Sequence, residues 1–184
     1  MAPSDPTIVP DDKDWTWTLL RACPDCGFVA AEVTGDQVAG RIAALAAPWA
    51  EVLARPGVRE RPGPGVWSPL EYGAHVRDVC LLFRERLELM LGEDQPQFAN
   101  WDQDVAAVEG AYAAQSPAVV ATELAAAAGT WSEAYAAVAA DQWDRVGVRS
   151  NGSTFTVLTL GRYGLHDLAH HLWDVKAGPS SRGA

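Results

Sequence analysis

The sequence contains few of the residues that mark secreted, membrane-spanning or nucleic-acid-binding proteins. Its three cysteines are too few for a secreted disulfide framework and favour a reducing compartment. It has no run of 18 apolar residues, and its first residues do not form a basic region followed by an apolar one. We therefore expect a cytoplasmic protein with no signal peptide and no membrane partner.

Basic residues are also scarce, with 14 lysines and arginines against 24 acidic residues and a formal net charge of −10. Because a phosphate backbone requires a basic surface, we expect no nucleic-acid partner. The chain also lacks a G-x-S-x-G motif, a Walker loop and a dinucleotide fingerprint. Hydrolase, NTPase and nicotinamide-dependent functions based on those motifs are therefore excluded.

The 184 residues, 48% of them hydrophobic, are sufficient for one domain with a substantial core. We predict three parts: an N-terminal arm with a C-x-x-C segment at 1–33, a four-helix bundle at 34–176, and a flexible tail at 177–184. Prolines and acidic residues dominate positions 1–14, which we expect to be mobile or to lie on the surface.

Start and stop signals predict four helices. Thr34 and Gln37 have the spacing of a capping box, and Pro48 is expected to kink the helix that follows. Ser68 and Glu71 form a second capping box around a proline at the first helical position. The predicted helices span residues 34–54, 68–91, 116–140 and 156–175.

Two other segments complete the predicted fold. Residues 92–115 form a long crossing segment with a short helix of its own. Asn151-Gly152 lies between β-prone residues and predicts a hairpin before the last helix. The sequence therefore predicts an all-α fold, a four-helix bundle with a small β-hairpin.

The last predicted helix carries three of the four histidines. His166 and His170 are four residues apart, so their side chains point within about 40° of each other. On a helical wheel this pair lies beside the apolar arc, whereas His171, Asp167 and Asp174 fall on the side expected to face solvent. An isolated pair of this spacing is more often a packing or surface feature than a metal site.

His75 is the remaining histidine, and it lies at the margin of the apolar stripe on the second helix. Catalytic metal sites commonly use three protein ligands and leave a position for water or substrate. Helical bundles build such sites from inward side chains on facing helices. We therefore predict that His75, His166 and His170 bind one divalent metal.

At these residues the chain resembles the DinB-like superfamily. The matching segments are WSPLEYGAH, which ends at His75, and LHDLAHHLWD, which contains His166 and His170. The resemblance implies a four-helix bundle that holds zinc or nickel with one histidine from the second helix and an H-x-x-x-H pair from the last. Relatives such as bacillithiol transferases and mycothiol-dependent maleylpyruvate isomerase use a low-molecular-weight thiol.

The leading hypothesis is a metal-dependent thiol S-transferase or isomerase acting on a small-molecule thiol and an electrophile. A metal bound by imidazoles lowers the pKa of a coordinated thiol and holds it as a nucleophilic thiolate. Twelve of the 14 basic residues are arginine, which favours a GC-rich genome and, with the resemblance, mycothiol as the thiol. The alternatives are a metal-dependent hydrolase and a non-catalytic metal or small-ligand binding module. The metal, the electrophile and homodimer formation stay open.

Four further residues are predicted to line the substrate pocket: Tyr163, Trp173, Trp101 and Asp102. Core packing explains the first two nearly as well, and a capped turn with an anchoring tryptophan explains the other two.

Cys23 and Cys26 form a C-P-x-C-G segment with the shape of a zinc knuckle. A complete site needs two more ligands, and the chain has no second C-x-x-C. A structural role, a redox dithiol and metal binding between subunits stay open for this segment. Cys80 on the second helix is expected to be a small buried hydrophobic residue.

Overall fold

The computed structural model of the chain describes residue 8 and residues 13–177. The predicted mobile start of the arm lies outside these residues at positions 1–7 and 9–12, as does the predicted tail from residue 178. The described helices and strands are α1 (Gly35–Ala46), α2 (Trp49–Leu53), α3 (Pro69–Gly92), β1 (Gln97–Phe98), α4 (Gln103–Glu109), α5 (Pro117–Ala136), β2 (Val146–Arg149), β3 (Thr154–Thr156) and α6 (Val157–Ala177). Short 3-10 turns lie at Trp15–Leu19, Ala30–Glu32 and Tyr112–Ala114.

Four helices, α1, α3, α5 and α6, form the bundle, and both α1 and α3 pack on α5 and on α6. The helices approach closely at Gly164, where an added Cβ would lie 2.8 Å from ring atoms of Phe83 and Trp131. Buried aliphatic and aromatic side chains from all four helices fill the centre. The predicted all-α four-helix bundle is therefore confirmed.

The helix starts follow the predicted capping signals. The backbone nitrogen of Thr34 donates to Oε1 of Gln37 at 3.3 Å, and that of Ser68 donates to Oε2 of Glu71 at 2.8 Å. The predicted helix at 34–54 is wrong in one respect, since α1 ends before Pro48 and α2 begins after it. Proline has no N–H to donate to the helix ladder, so the helix is interrupted at Pro48.

The predicted hairpin is present as β2 and β3, which pair antiparallel with Gly147 opposite Phe155. The crossing segment contains α4, and it also contributes β1, a strand that the sequence did not predict. Gln97 of β1 pairs with Val148 of β2 in a parallel ladder. The resulting order β1-β2-β3 places the hairpin beside the end of α3.

Residues 13–33 pack against α6 through their two 3-10 turns. Thr18, Cys23 and Val33 are buried, and Nε of Arg162 on α6 donates to the carbonyl of Val33 at 2.9 Å. The C-x-x-C segment therefore lies beside the last helix. Within residues 13–177 no helix has both the length and the apolar character to cross a bilayer.

Candidate metal centre

A cavity of about 980 Å³ opens between α3, α6, the hairpin and the start of the described chain. The four residues predicted to form pocket walls, Trp101, Asp102, Tyr163 and Trp173, all line it. Asp102 is also the N-cap of α4, because its Oδ1 accepts from the backbone nitrogens of residues 104 and 105 at 3.0 Å. Contact of these four residues with a substrate stays a prediction.

The ligand atoms of the three predicted metal-binding histidines lie in two groups. One group, here called the triad, consists of His75, Asp167 and His171, with one ligand atom from each lying within 4.8 Å of the others. The other group, here called the tetrad, consists of Cys23, Cys26, His166 and His170 and meets the same distance limit. The structure thus places His75 with the residues next to His166 and His170 in sequence.

The placement of Asp167, His171 and Asp174 on a solvent-facing side of α6 is wrong. Only 7% of Asp174 and 16% of the His171 side chain are exposed, and His171 packs on Tyr72 at 5.1 Å between ring centroids. The helical wheel assumes that α6 buries only one face. In the structure, residues 13–33 cover a second face of α6, on which His166 lies. The side with Asp167 and His171 therefore faces α3 and the cavity.

His75 is fully buried between two indole rings. Its ring stacks on Trp101 at 5.3 Å and lies 5.2 Å from Trp67, and the His171 ring meets it edge-on at 4.7 Å. Neither ring nitrogen of His75 has a hydrogen-bond partner among the described residues. A buried polar atom without a partner lowers the free energy of unfolding by about 1–3 kcal/mol, so an unpartnered buried imidazole suggests a ligand-binding site.

Asp167 also has a buried polar atom without a hydrogen-bond partner, namely Oδ1, which faces His75. Its Oδ1 lies 3.5 Å from Nε2 of His75, without hydrogen-bond alignment, and no other described atom satisfies it. Oδ1 is buried although 26% of the Asp167 side chain is exposed. A cation bound to Nε2 of His75 and Oδ1 of Asp167 would satisfy both of these atoms, so the triad fits a divalent metal.

His171 is oriented by a second carboxylate. Its Nδ1 lies 3.0 Å from Oδ2 of Asp174, and its Nε2 lies 3.4 Å from Oδ1 of Asp167. Because a carboxylate only accepts, Nδ1 carries the hydrogen, and Nε2 is the nitrogen that faces the triad. Metal-binding histidines usually donate their other ring N–H to a carboxylate in this way.

The electrostatics of the triad favour a neutral His75 and an ionised Asp167. Burial lowers the pKa of His75, so its imidazole is neutral near pH 7. Burial alone would raise the pKa of Asp167, but the His171 and His75 rings lower it to about 2. A neutral imidazole and an ionised carboxylate are the forms that coordinate divalent cations.

The tetrad lies on the adjacent face of α6, under residues 13–33. Sγ of Cys23 is 3.7 Å from Nδ1 of His170, and Trp15 covers the two histidine rings at centroid distances of 5.6 and 5.1 Å. Burial lowers the pKa of His166 to about 4 and raises that of the Cys26 thiol to about 12. Without a cation, the Cys26 thiol is therefore protonated and a weak nucleophile.

Cys80 is completely buried on α3, as predicted, and burial raises the pKa of its thiol. All three cysteines are free thiols in the described chain. Sequence reasoning missed Asp167 and His171 as ligand candidates, although they have the same i, i+4 spacing as His166 and His170.

The fold is thus a helical bundle with candidate metal ligands on α3 and α6. A family model described as the DinB superfamily matches residues 44–175, so the chain belongs to the DinB superfamily. A solved structure, YfiT from Bacillus subtilis, is described as a probable metal-dependent hydrolase with an unusual four-helix bundle topology. It is 18% identical to this chain, with a TM-score of 0.65 over 81% of this chain and 86% of YfiT. This likeness supports the fold, and no curated protein matches the chain.

Proposed function

We propose that the protein is a metal-dependent enzyme that uses a low-molecular-weight thiol, with its cation held by His75, Asp167 and His171. The observation that carries the proposal is the set of buried polar atoms without a hydrogen-bond partner on His75 and Asp167. The hydrogen bond from His171 to Asp174 supports it, since this contact leaves the lone pair of Nε2 of His171 to bind a metal in the triad.

The triad supplies two imidazole nitrogens and one carboxylate oxygen, which suit zinc and nickel. When bound, such a cation lowers the pKa of a thiol or of water and so supplies the nucleophile. The indoles of Trp67 and Trp101 hold the His75 ring in place and exclude water from it. Asp174 fixes the tautomer of His171.

The cavity supports a reaction between two small molecules. Its volume of about 980 Å³ is at the upper end of the range of about 300–1,000 Å³ typical of ligand sites. The cavity therefore has room for a thiol and an electrophile at the same time. Tyr163, Trp173 and Trp101 supply aromatic walls for the electrophile. We propose mycothiol as the thiol, because of the arginine bias and because the resemblance to the DinB-like superfamily implies relatives that use such thiols.

Metal-dependent hydrolysis is the second candidate. The description of YfiT as a probable metal-dependent hydrolase favours it, and the same triad serves this reaction with water in place of the thiol. The originally predicted ligand set, His75 with His166 and His170, also stays a hypothesis. The experiments below separate both alternatives from the proposal.

The ligand set is tested by elemental analysis of metal-loaded protein. We expect His75→Ala, Asp167→Asn and His171→Ala each to lose the same equivalent of bound metal, because each removes one of three ligands. Asp141→Asn is the matched control, since it makes the same change at an exposed carboxylate after α5 and should bind as the wild type does. If Asp167→Asn keeps the equivalent that His75→Ala and His166→Ala lose, the three-histidine set replaces the triad.

The reaction is tested by assays of loaded and chelator-stripped protein with several thiols and a model electrophile. We expect thiol consumption only with loaded protein, and a rate lower by about 10–100-fold in Asp167→Asn but not in Asp141→Asn. Product formation without a thiol would favour hydrolysis over the proposal. Inactivity across a broad panel of thiols and electrophiles would favour a binding module.

A further inference from the structure

The tetrad has no part in the proposed function, yet its four side chains are gathered from distant parts of the chain. The turn at 23–27 aims the two cysteines at one point: the backbone nitrogen of Gly27 donates to the carbonyl of Cys23 at 2.9 Å. Gly27 has a φ of +72°, a left-handed conformation that glycine adopts without strain. His166 and His170 approach from α6, one helical turn apart.

The measured spacing fits a tetrahedral zinc ion. Zinc bonds of about 2.3 Å to sulfur and about 2.0–2.1 Å to nitrogen put a sulfur and a nitrogen at tetrahedral corners about 3.6 Å apart. Sγ of Cys23 and Nδ1 of His170 are 3.7 Å apart. All four ligand atoms lie within 4.8 Å of one another, so small side-chain movements complete the tetrahedron.

Burial distinguishes this group from a chance surface cluster. Cys23 is 1% exposed and His166 is 4% exposed, and Nε2 of His166 is buried with no hydrogen-bond partner in the described part of the chain. Trp15 covers both histidine rings, and Phe28 lies 6.0 Å from that of His166. Two thiolates and two imidazoles are the ligand set of closed structural zinc sites.

We infer that Cys23, Cys26, His166 and His170 form a second, structural zinc site that fastens residues 13–33 to α6. Four protein ligands leave no position for a substrate, so this site does not perform chemistry. Its role is mechanical, since two ligands come from the start of the chain and two from the helix that also carries Asp167 and His171. Binding releases the protons of the two thiols, which become thiolates.

The test uses full-length protein loaded with zinc or with cobalt. We expect the wild type to bind about two equivalents of zinc, and the double variant Cys23→Ser/Cys26→Ser to bind about one. Cobalt in the wild type should give the intense visible bands of a tetrahedral ion and a thiolate-to-cobalt charge-transfer band, and the double variant should lose the latter. Cys80→Ala is the matched control, because Cys80 is buried outside both groups, and it should keep two equivalents and the charge-transfer band.

Two further variants separate this inference from the proposed function. Asp167→Asn should lose one equivalent of metal and keep the thiolate-to-cobalt band, whereas His166→Ala should weaken the band and keep the triad equivalent. Cys26→Ser alone alters a half-buried position and should stay folded by circular dichroism while its band falls. An unchanged band and metal content in folded Cys26→Ser and in the double variant would overturn the second site, whatever the triad binds.

Discussion

Glu71 is a buried carboxylate whose ionisation stabilises the start of α3. Its Oε2 accepts from Nε of Arg61 at 3.1 Å and from the backbone nitrogen of Ser68 at 2.8 Å. Burial alone would raise its pKa, but these bonds and the Arg61 charge hold the pKa of Glu71 below 4.5. A lowered pKa in the folded state means that stabilisation is complete above the unfolded pKa and is lost as pH falls through the folded one.

We expect Glu71→Gln to lower the free energy of unfolding at pH 7 by about 1–3 kcal/mol, because the amide cannot replace both charge-assisted bonds. The difference from the wild type should shrink as the pH falls from about 5 toward 3. Urea unfolding at several pH values measures both effects. Glu51→Gln, at an exposed i, i+4 pair with Arg55, should change the free energy by less than about 0.5 kcal/mol. Equal effects of the two substitutions would contradict this account.

The sequence predicts which histidines are candidate metal ligands, but it does not predict how they are grouped. His75, His166 and His170 are identified by residue type and spacing, and each lies in a metal-ligand group. Their division into two groups depends on which element covers each face of α6, and helical periodicity carries no information on that. The pattern C-x2-C followed by H-x3-H was present in the sequence, but 139 residues separate Cys26 from His166, and only the fold brings the halves together.

Glycines determine how closely α6 approaches its neighbours. A Cβ at Gly164 would lie 2.8–2.9 Å from the rings of Phe83 and Trp131, which are buried and have little room to move. We expect Gly164→Ala to lower the free energy of unfolding, because overpacking costs about 1–3 kcal/mol and exceeds a helix-propensity gain of about 1 kcal/mol.

Gly129 on α5 is the matched control for this substitution. It is exposed, and an added Cβ would meet no described atom within 4 Å. Gly129→Ala should therefore raise the free energy of unfolding by about 0.5–1 kcal/mol. Thermal or urea unfolding of the two variants should move in opposite directions, and a stabilised Gly164→Ala would refute the close approach.

The elements that the sequence predicts well are those with local signals. The starts of α1 and α3 follow from capping boxes, and the hairpin follows from Asn151-Gly152. Strand β1 escapes prediction because its two residues become a strand only by pairing with β2, about 50 residues later. The long predicted third helix likewise ends early, at Ala136, because a run of alanines carries no stop signal of its own.

For the whole molecule, the inferred zinc site predicts that metal loading controls the packing of residues 13–33. Leu20 in this segment is 88% exposed, and the segment adds only short 3-10 turns to the bundle. We expect a chelator to increase amide hydrogen exchange in residues 13–33, while α5 keeps its protection, because α5 carries no ligand of the triad or of the tetrad.

Hydrogen exchange with mass-spectrometric readout measures this difference between loaded and stripped protein. The double variant Cys23→Ser/Cys26→Ser serves as the control, because its exchange in residues 13–33 should be high and insensitive to the chelator. Identical protection of this segment in loaded and stripped wild type would show that its side-chain packing alone holds it in place.

Two pairs of candidate metal ligands on α6, His166 with His170 and Asp167 with His171, lie in the six-residue stretch HDLAHH. The second pair is offset from the first by one position. Neighbouring helical residues point about 100° apart, so a one-residue insertion or deletion earlier in α6 would turn both pairs away from their partners in a single event. Substitutions, in contrast, can remove either pair alone. Among descendants of this chain, changes in helix length should therefore abolish both sites together, whereas point changes should leave lineages that keep one site without the other.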